Sequence, residues 1–588
     1  MSDFIFSSKK MKDHELTVIL DSIYKNDFPN VIEYHGFWGS LAISKSLYNG
    51  FQPIEDERCI FCVIGAPVLM FCDNHFLHDN DCEDTFATKL VYDKFFSADG
   101  IAWDEDLSGP FVVLYLNKIS GELMIVTDLM SFIPVYEIFE NKDRVIGTHV
   151  DVVAKVGRKK SFNDLVSIAD FICSGVVTYP HTMYDSIKQL APASVFKIFF
   201  QESKKKLVVS YWLPKEDYKY DDIDKAANEL RENLIEFINS ITKNSSFIGL
   251  FLSGGEDSRI ILSMLPENYI KDAIIFLDYY NKEGRVAYKA SEKYGANFKL
   301  YKRAKNHYLD YLPHCSELVG SGCQYFHAHT YSFHKSAELL KYSVLLGGFL
   351  SDALLKGSHI KKIKVGGMIP FVPQIPIKNY SHQEKDNSLI LNKDILVELN
   401  VRRNDHFLWV HAIRPKSAEE WFELWPSSMN KNIPNIYANR RLFRMYEPFI
   451  HNKVIKLASS VSQNWKLNRR LFQRMAKPLL KPTKHLIHAK GWFPYYPWIV
   501  NSFVQPFSIL LYTIKKNMSV SQKGFDGPWC DWNDLLSSRT WKEMSLRYAK
   551  NESIINILFE DPYDLLMRQK MSVVAKINLM QVLYYLNK

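Results

Sequence analysis

The stretch FIGLFLSGGEDSRIILSML, residues 247–265, constrains the fold more than any other. Phe247, Ile248, Leu250, Phe251 and Leu252 form a short, nearly continuous apolar run, the pattern of a parallel strand buried on both faces. Ser253, Gly254, Gly255, Glu256, Asp257 and Ser258 interrupt it, and Ile260, Ile261, Leu262, Met264 and Leu265 resume at helical spacing. A strand, a tight polar loop and a helix follow one another. Such a loop binds anions because its glycines let the backbone approach a ligand and the helix start offers unpaired N–H groups and a positive dipole end. Ser253 and Ser258 add hydroxyl donors, whereas Asp257 suits phosphate only if it holds a bridging divalent cation. An ordinary strand-to-helix turn capped by Asp257 accounts for the Gly-Gly pair equally well.

The flanking chain extends this pattern. Residues 273–277 read as a second buried strand and 284–294 as a second helix, so βαβ order and a doubly wound parallel sheet are expected. In SVLLGGFLSDALLKG, residues 343–357, the apolar run Val344, Leu345, Leu346 meets Gly347 and Gly348, a turn at a strand's carboxyl end, where open α/β sheets place ligands. Upstream, the first two hundred residues are β-branched and aromatic runs punctuated by Gly, Pro, Asn and Ser, with NKISG (117–121) as a hairpin loop. Residues 163–173 read as a helix beginning near Ser161 or Asn163, and 221–242 as a long amphipathic helix behind a seam at Tyr211 to Pro214. Residues 361–400 are polar and proline-punctuated, the pattern of loops or a lid. Helical patterning returns at Tyr437 and closes the chain as amphipathic helix from Trp529.

At 588 residues the chain exceeds one core, so two or more domains are expected, and 47% hydrophobic with 23% charged residues is a globular composition. A net charge of +8 spread over this length gives no nucleic-acid partner. The eight cysteines are scattered; Cys59 and Cys62 form a CxxC inside an apolar strand-like run, with no second pair at zinc spacing, and read as buried strand thiols. No segment approaches the roughly 18–20 apolar residues of a membrane span, and the N-terminus has no apolar signal core, so a cytoplasmic protein with no membrane span is expected.

SGGEDS resembles the SGGxDS loop of the ATP pyrophosphatases, and particularly of the asparagine synthetases; the Walker pattern is not found. The resemblance implies a loop that grips the pyrophosphate of ATP while a carboxylate attacks the α-phosphate to give an acyl-adenylate. On that resemblance, Leu252, Ser253, Gly254, Gly255, Glu256, Asp257 and Ser258, with Gly347 and Gly348, hold the nucleotide. Phe276 stands near where the family receives adenine, or is a core strand aromatic. GGFLSDALLKG is similar to the family's S-G-E-G-A-D-E-L-F-G-G, which puts Asp352 on its aspartate, so that Asp257 and Asp352 would hold Mg²⁺. AKGWFPYYPW resembles R-P-K-x-G-F-x-x-P-x-x-W and places Lys490 on the lysine that offsets charge developing on the phosphates. Lys490, Asp257 and Asp352 are thus the expected catalytic residues.

The first half resembles the family's glutaminase layout in order but not in chemistry. The family uses Cys at position 2 as nucleophile, where this chain has Ser2 in a foreign context. The family's glutamate of S-G-E-G is Phe349, and the second acid is Ala353; Glu256 or one of His327, His329 and His334 is a candidate replacement base, the histidines reading otherwise as loop or pocket residues. The resemblance implies an α+β antiparallel sandwich (Ntn-like, degenerate) at residues 1–212, without glutaminase activity. An α/β doubly wound parallel sheet of the PP-loop type with C-terminal helices follows at 213–588. It further implies an ATP- and Mg²⁺-dependent, amide-bond-forming ligase acting on a small-molecule, sugar or peptide carboxylate, with ammonia or an amine as second substrate and a partner protein from a biosynthetic pathway. A lasso-peptide-type macrolactam cyclase and a catalytically inactive nucleotide-binding scaffold are the alternatives.

Overall fold

The β-branched runs of the first half pair as antiparallel strands, and the computed structural model arranges them in two six-stranded sheets. It describes residues 2–24, 30–78, 82–159, 161–199, 204–243, 245, 247–363, 372–377, 391–518, 527–549, 561–567 and 571–588. One sheet has the order Ile187–Gln189, Tyr136–Glu140, Asp143–Gly147, Phe4–Ser7, Gly39–Ser44, Val31–Gly36. The other runs Lys204–Ser210, Ser194–Phe199, Glu122–Thr127, Phe111–Asn117, Cys59–Gly65, Ile54–Glu55. Phe4, Phe6 and Ile43 of the first sheet join Ile60, Val113 and Ile125 of the second in one buried cluster. Cys59 and Cys62 lie buried in their strand as free thiols.

The hairpin at NKISG forms as its residues dictate. Leu116 stands opposite Leu123, the Asn117 side chain accepts from the N–H groups of Ile119 and Ser120, and Gly121 takes φ 70° to turn the chain back.

A four-stranded parallel sheet of order Asn297–Lys302, Ile270–Leu277, Phe247–Phe251, Val344–Leu346 occupies the middle of the chain. Leu250 pairs with Ala273 on one side and Leu346 on the other, so the SGGEDS strand is internal. Its neighbour starts at Ile270, three residues earlier than its apolar run suggests, because polar Lys271 and Asp272 also pair in the ladder. The second crossover helix is Lys282–Lys293, opened by Asn281, whose side chain accepts from Gly284 N–H.

Two sequence expectations are corrected. The helix expected over 163–173 is Leu165–Ser174, and its cap is Asp164, which accepts from Ser167 N–H at 3.0 Å, rather than Ser161 or Asn163. Of the stretch read as loops or lid, residues 364–371 and 378–390 lie outside the described residues, but its end belongs to a 21-residue helix, Lys393–Ile413. That helix shows little apolar periodicity because it docks through charge: Arg402 pairs with Asp164 at 2.7 Å and Arg403 with Asp170 at 2.6 Å.

Contacts also tie the antiparallel sheets to the chain beyond residue 425. The Tyr48 hydroxyl donates to the Met445 carbonyl (2.9 Å) and accepts from its N–H (2.6 Å), Trp425 Nε1 donates to the Leu129 carbonyl, and Ser108 bonds His451.

Candidate functional site

The chain leaves the strand Phe247–Phe251 with Leu252 N–H still bonded to the Ile274 carbonyl, then tightens on itself. Ser253 N–H donates to Ser258 Oγ (3.1 Å) and Gly255 N–H to Ser253 Oγ (3.1 Å). Gly254 N–H donates to Glu283 Oε2 at 2.7 Å. A Cβ on Gly254 would stand 2.5 Å from that oxygen and 2.9 Å from Ala489 Cβ, so only glycine fits. The helix Asp257–Met264 then opens with the N–H groups of Asp257, Ser258 and Arg259, which have no carbonyl four residues back within it.

The turn after Val344–Leu346 meets this loop directly. A Cβ on Gly348 would lie 3.2 Å from Asp257 Cβ, and one on Gly347 would collide with Met445 and with the Glu447 carboxylate, 2.3 Å away. Glu447 is buried and accepts from Phe349 N–H at 2.8 Å; burial pushes its carboxyl up to about 8.

The third stretch, around Lys490, also reaches the loop. Ala489 N–H donates to the Gly254 carbonyl (3.1 Å), Lys490 N–H donates to His488 Nδ1 (2.9 Å), and the His488 ring stacks on Trp492 at 4.0 Å. Lys490 itself is exposed, and its ammonium is close enough to act on the carboxyls of Asp352 and Glu283.

At the carboxyl ends of the parallel strands, lined by the first two of these pieces, lies a cavity of about 840 Å³. Of the residues expected from sequence, Leu252, Ser253, Asp257, Phe276, Gly347, Gly348 and Asp352 line it. Gly254, Gly255, Glu256, Ser258 and Lys490 do not line it. Phe276 stacks on Phe333 with ring centroids 4.3 Å apart. His327 and His329 are on the lining, and burial pushes both down to about 3, so they are neutral rings at neutral pH. His334 is buried outside the lining.

Sequence reasoning missed Glu447 and Lys356. Lys356 follows the short helix Ser351–Leu355, and its Nζ lies 2.5 Å from Asp257 Oδ1, 2.6 Å from Asp352 Oδ1 and 3.1 Å from Glu256 Oε1. Burial opposes this charge, but Asp257, Glu256 and Asp352 outweigh it and hold the ammonium well above the ordinary lysine value. Arg469 takes the other oxygen of Glu256. Glu256 is therefore committed to two cations and is a poor choice of base. A four-residue offset from Asp352 was the available signal for Lys356; Glu447, just before Pro448, has no local signal.

The expected Mg²⁺ does not fit this arrangement. A metal bridging Asp257 and Asp352 at about 2.1 Å would occupy the point where the Lys356 ammonium sits. Among the described residues no group of three or more His, Cys, Asp or Glu side chains is arranged to hold a metal.

Position 2 lies elsewhere. Ser2 is 1% exposed, does not line the cavity, and its hydroxyl has no hydrogen-bond partner among the described residues. Its carbonyl accepts from Arg440, and the adjoining Asp3 is gripped by Arg440 (2.5 Å), Arg441 (2.8 Å), Thr148 (2.8 Å) and the Tyr24 hydroxyl (2.5 Å).

Fold and site together define a mixed α/β protein with two six-stranded antiparallel sheets and a ligand-sized cavity at the end of a parallel one. No family model matches the chain, and no curated protein matches it. Among solved structures it is similar to a glutamine phosphoribosylpyrophosphate amidotransferase from B. subtilis complexed with ADP and GMP, at 9% identity and TM-score 0.24, over 51% of this chain and 65% of that one. It is similar also to an allosteric regulatory enzyme of purine biosynthesis, at 10% identity and TM-score 0.21, over 51% of this chain and 58% of that one. Both matches span less than two thirds of those chains, and at such TM-scores they carry no argument about the site. Among the described residues no helix is long and apolar enough to cross a membrane.

Proposed function

We propose that the chain is an ATP-dependent, amide-bond-forming ligase of the asparagine synthetase type. On this reading residues 1–212 are a glutaminase-like, Ntn-type domain without glutaminase activity, and residues 213–588 a PP-loop synthetase domain. The observation that carries it is the meeting at one cavity of two stretches far apart in sequence, the SGGEDS loop and the Gly347-Gly348 turn, with the Lys490 loop bonded to the first of them through Ala489 N–H and the Gly254 carbonyl.

ATP phosphates lie against the helix start at Asp257 to Arg259, where N–H groups and the dipole favour negative charge. The substrate carboxylate attacks the α-phosphate and expels pyrophosphate, and Lys490 offsets the charge that develops there. The amine then attacks the acyl carbon, the C–N bond forms, the acyl C–O bond breaks, and AMP leaves. Glu447 stands on the lining as the base that takes the amine proton. This role belongs to it rather than to His327 or His329, because burial leaves those rings too weakly basic. Phe276 offers its ring to adenine, and the cavity's size accommodates a sugar or peptide carboxylate beside the nucleotide. ATP and the two substrates account for every step written here, and none is routed through a metal.

Lys490→Ala is expected to lower ATP–pyrophosphate exchange about 10²–10³-fold, the usual cost of removing one fixed donor from a developing anion. Exchange that stays at background with every sugar acid, amino acid and peptide tried would defeat the ligase reading. The neutralisation of Asp257 and Asp352 by Lys356 favours one competitor, a nucleotide-binding scaffold without turnover, for which ATP binds and no exchange occurs.

A further inference from the structure

The carboxylates of Asp257 and Asp352 point one oxygen each at a single point, and Lys356 Nζ fills it at 2.5 and 2.6 Å. The lysine is not a loose surface side chain that has fallen inward. Its side chain is 7% exposed, and its ammonium also stands 4.4 Å from the centroid of the buried Phe472 ring. The backbone after it is fixed as well, since Gly357 takes φ 61° and a Cβ there would meet Ile360 at 2.7 Å. Freeing the point for a metal requires breaking three ion pairs, to Glu256, Asp257 and Asp352, and moving a packed stem. The same position in the resembling family's string is glycine, which has no side chain to offer.

We propose that Lys356 stands permanently where a divalent cation shared by Asp257 and Asp352 would sit, so that this site takes the polyphosphate of a nucleotide with a built-in monovalent cation and recruits no metal to that carboxylate pair. The inference rests on the nucleotide-site reading above. It deepens that reading by naming what neutralises the acids beside the phosphates. Nζ donates a hydrogen bond to Glu256 and pairs by charge with Asp257 and Asp352, so the lysine acts by cancelling carboxylate charge rather than by gripping phosphate. Phosphate contact is left to the helix start and to Lys490.

Two measurements on the full chain test this. The first follows Mn²⁺ alone by electron paramagnetic resonance. The wild type is expected to leave the ion free up to about millimolar concentration, whereas Lys356→Met, which keeps the stem over Phe472, gains a site at least about tenfold tighter that Asp257→Asn removes again. A wild-type Mn²⁺ site that Asp257→Asn abolishes overturns the proposal, as does silence of a Lys356→Met variant whose circular dichroism is native. The second is calorimetric ATP binding in EDTA and in excess Mg²⁺. Wild-type affinity is expected to differ by less than about tenfold between the two, and a loss of more than about a hundredfold in EDTA overturns the proposal even if the lysine variant does not fold. Failure of the nucleotide-site reading looks different: ATP binding absent under both conditions, with the Mn²⁺ result still deciding the role of Lys356.

Discussion

Under the proposed ligase reading, Glu447→Gln is expected to lower amide formation about 10²–10⁴-fold, and to lower it further than the adenylating half-reaction, because that reading gives Glu447 proton removal from the attacking amine. The residue is poised for this by burial. Its carboxyl is pushed up to about 8, with only the Phe349 N–H bond opposing the shift. A base acts when deprotonated, so the wild-type rate of amide formation should rise as pH climbs through about 8 and level off above it. Glutamine does not titrate there, so the variant's residual rate should lose that rise. A pH profile unchanged by the substitution, or an equal drop in pyrophosphate exchange, would assign Glu447 to positioning the Gly347 turn instead.

Asp3→Ala is expected to be the most destabilising single change, at about 3–5 kcal/mol, because it strands two buried guanidinium groups, Arg440 and Arg441, without their shared counter-ion. Chemical denaturation followed by fluorescence measures it, and a loss below about 1 kcal/mol, the scale of an exposed pair, would contradict the reading. The pH dependence has a definite sign. Burial opposes ionisation of Asp3, but Arg440 and Arg441 outweigh it and hold the carboxyl well below the ordinary range. Its contribution is therefore complete above the unfolded value of about 3.9 and is lost as pH falls from there toward the folded value. Asp3→Asn should remove much of the steep acid limb below about pH 4.

What could be read from the chain followed how each element is buried. The strand at Phe247–Phe251 and the strand at Val344–Leu346 were legible because burial on both faces writes a continuous apolar run, and glycines mark their ends. The helix Lys393–Ile413 was not legible: its buried side chains include Arg403 and His406, and a charged interface leaves no apolar stripe. The loop glycines read as places where the backbone comes close to a ligand, yet Gly254 commits its N–H to Glu283, a partner 29 residues on. Lys356 and Glu447 escaped for the same reason. Each acquires its meaning from side chains brought to it by the fold, and a lone lysine or glutamate in a sequence looks like every other.

The pairing of Tyr48 with both backbone groups of Met445 has a practical consequence. Met445 and Glu447 form one wall of the cavity, and Arg440 and Arg441, just upstream, are neutralised by Asp3. The wall of the cavity is thus moulded against the antiparallel half of the chain. Cutting near residue 212 would leave a piece whose cavity has lost the surface it was cast on. The opening sheets serve as formwork left in place, and dismantling them should cost the downstream half the shape of its cavity before it costs that half its secondary structure.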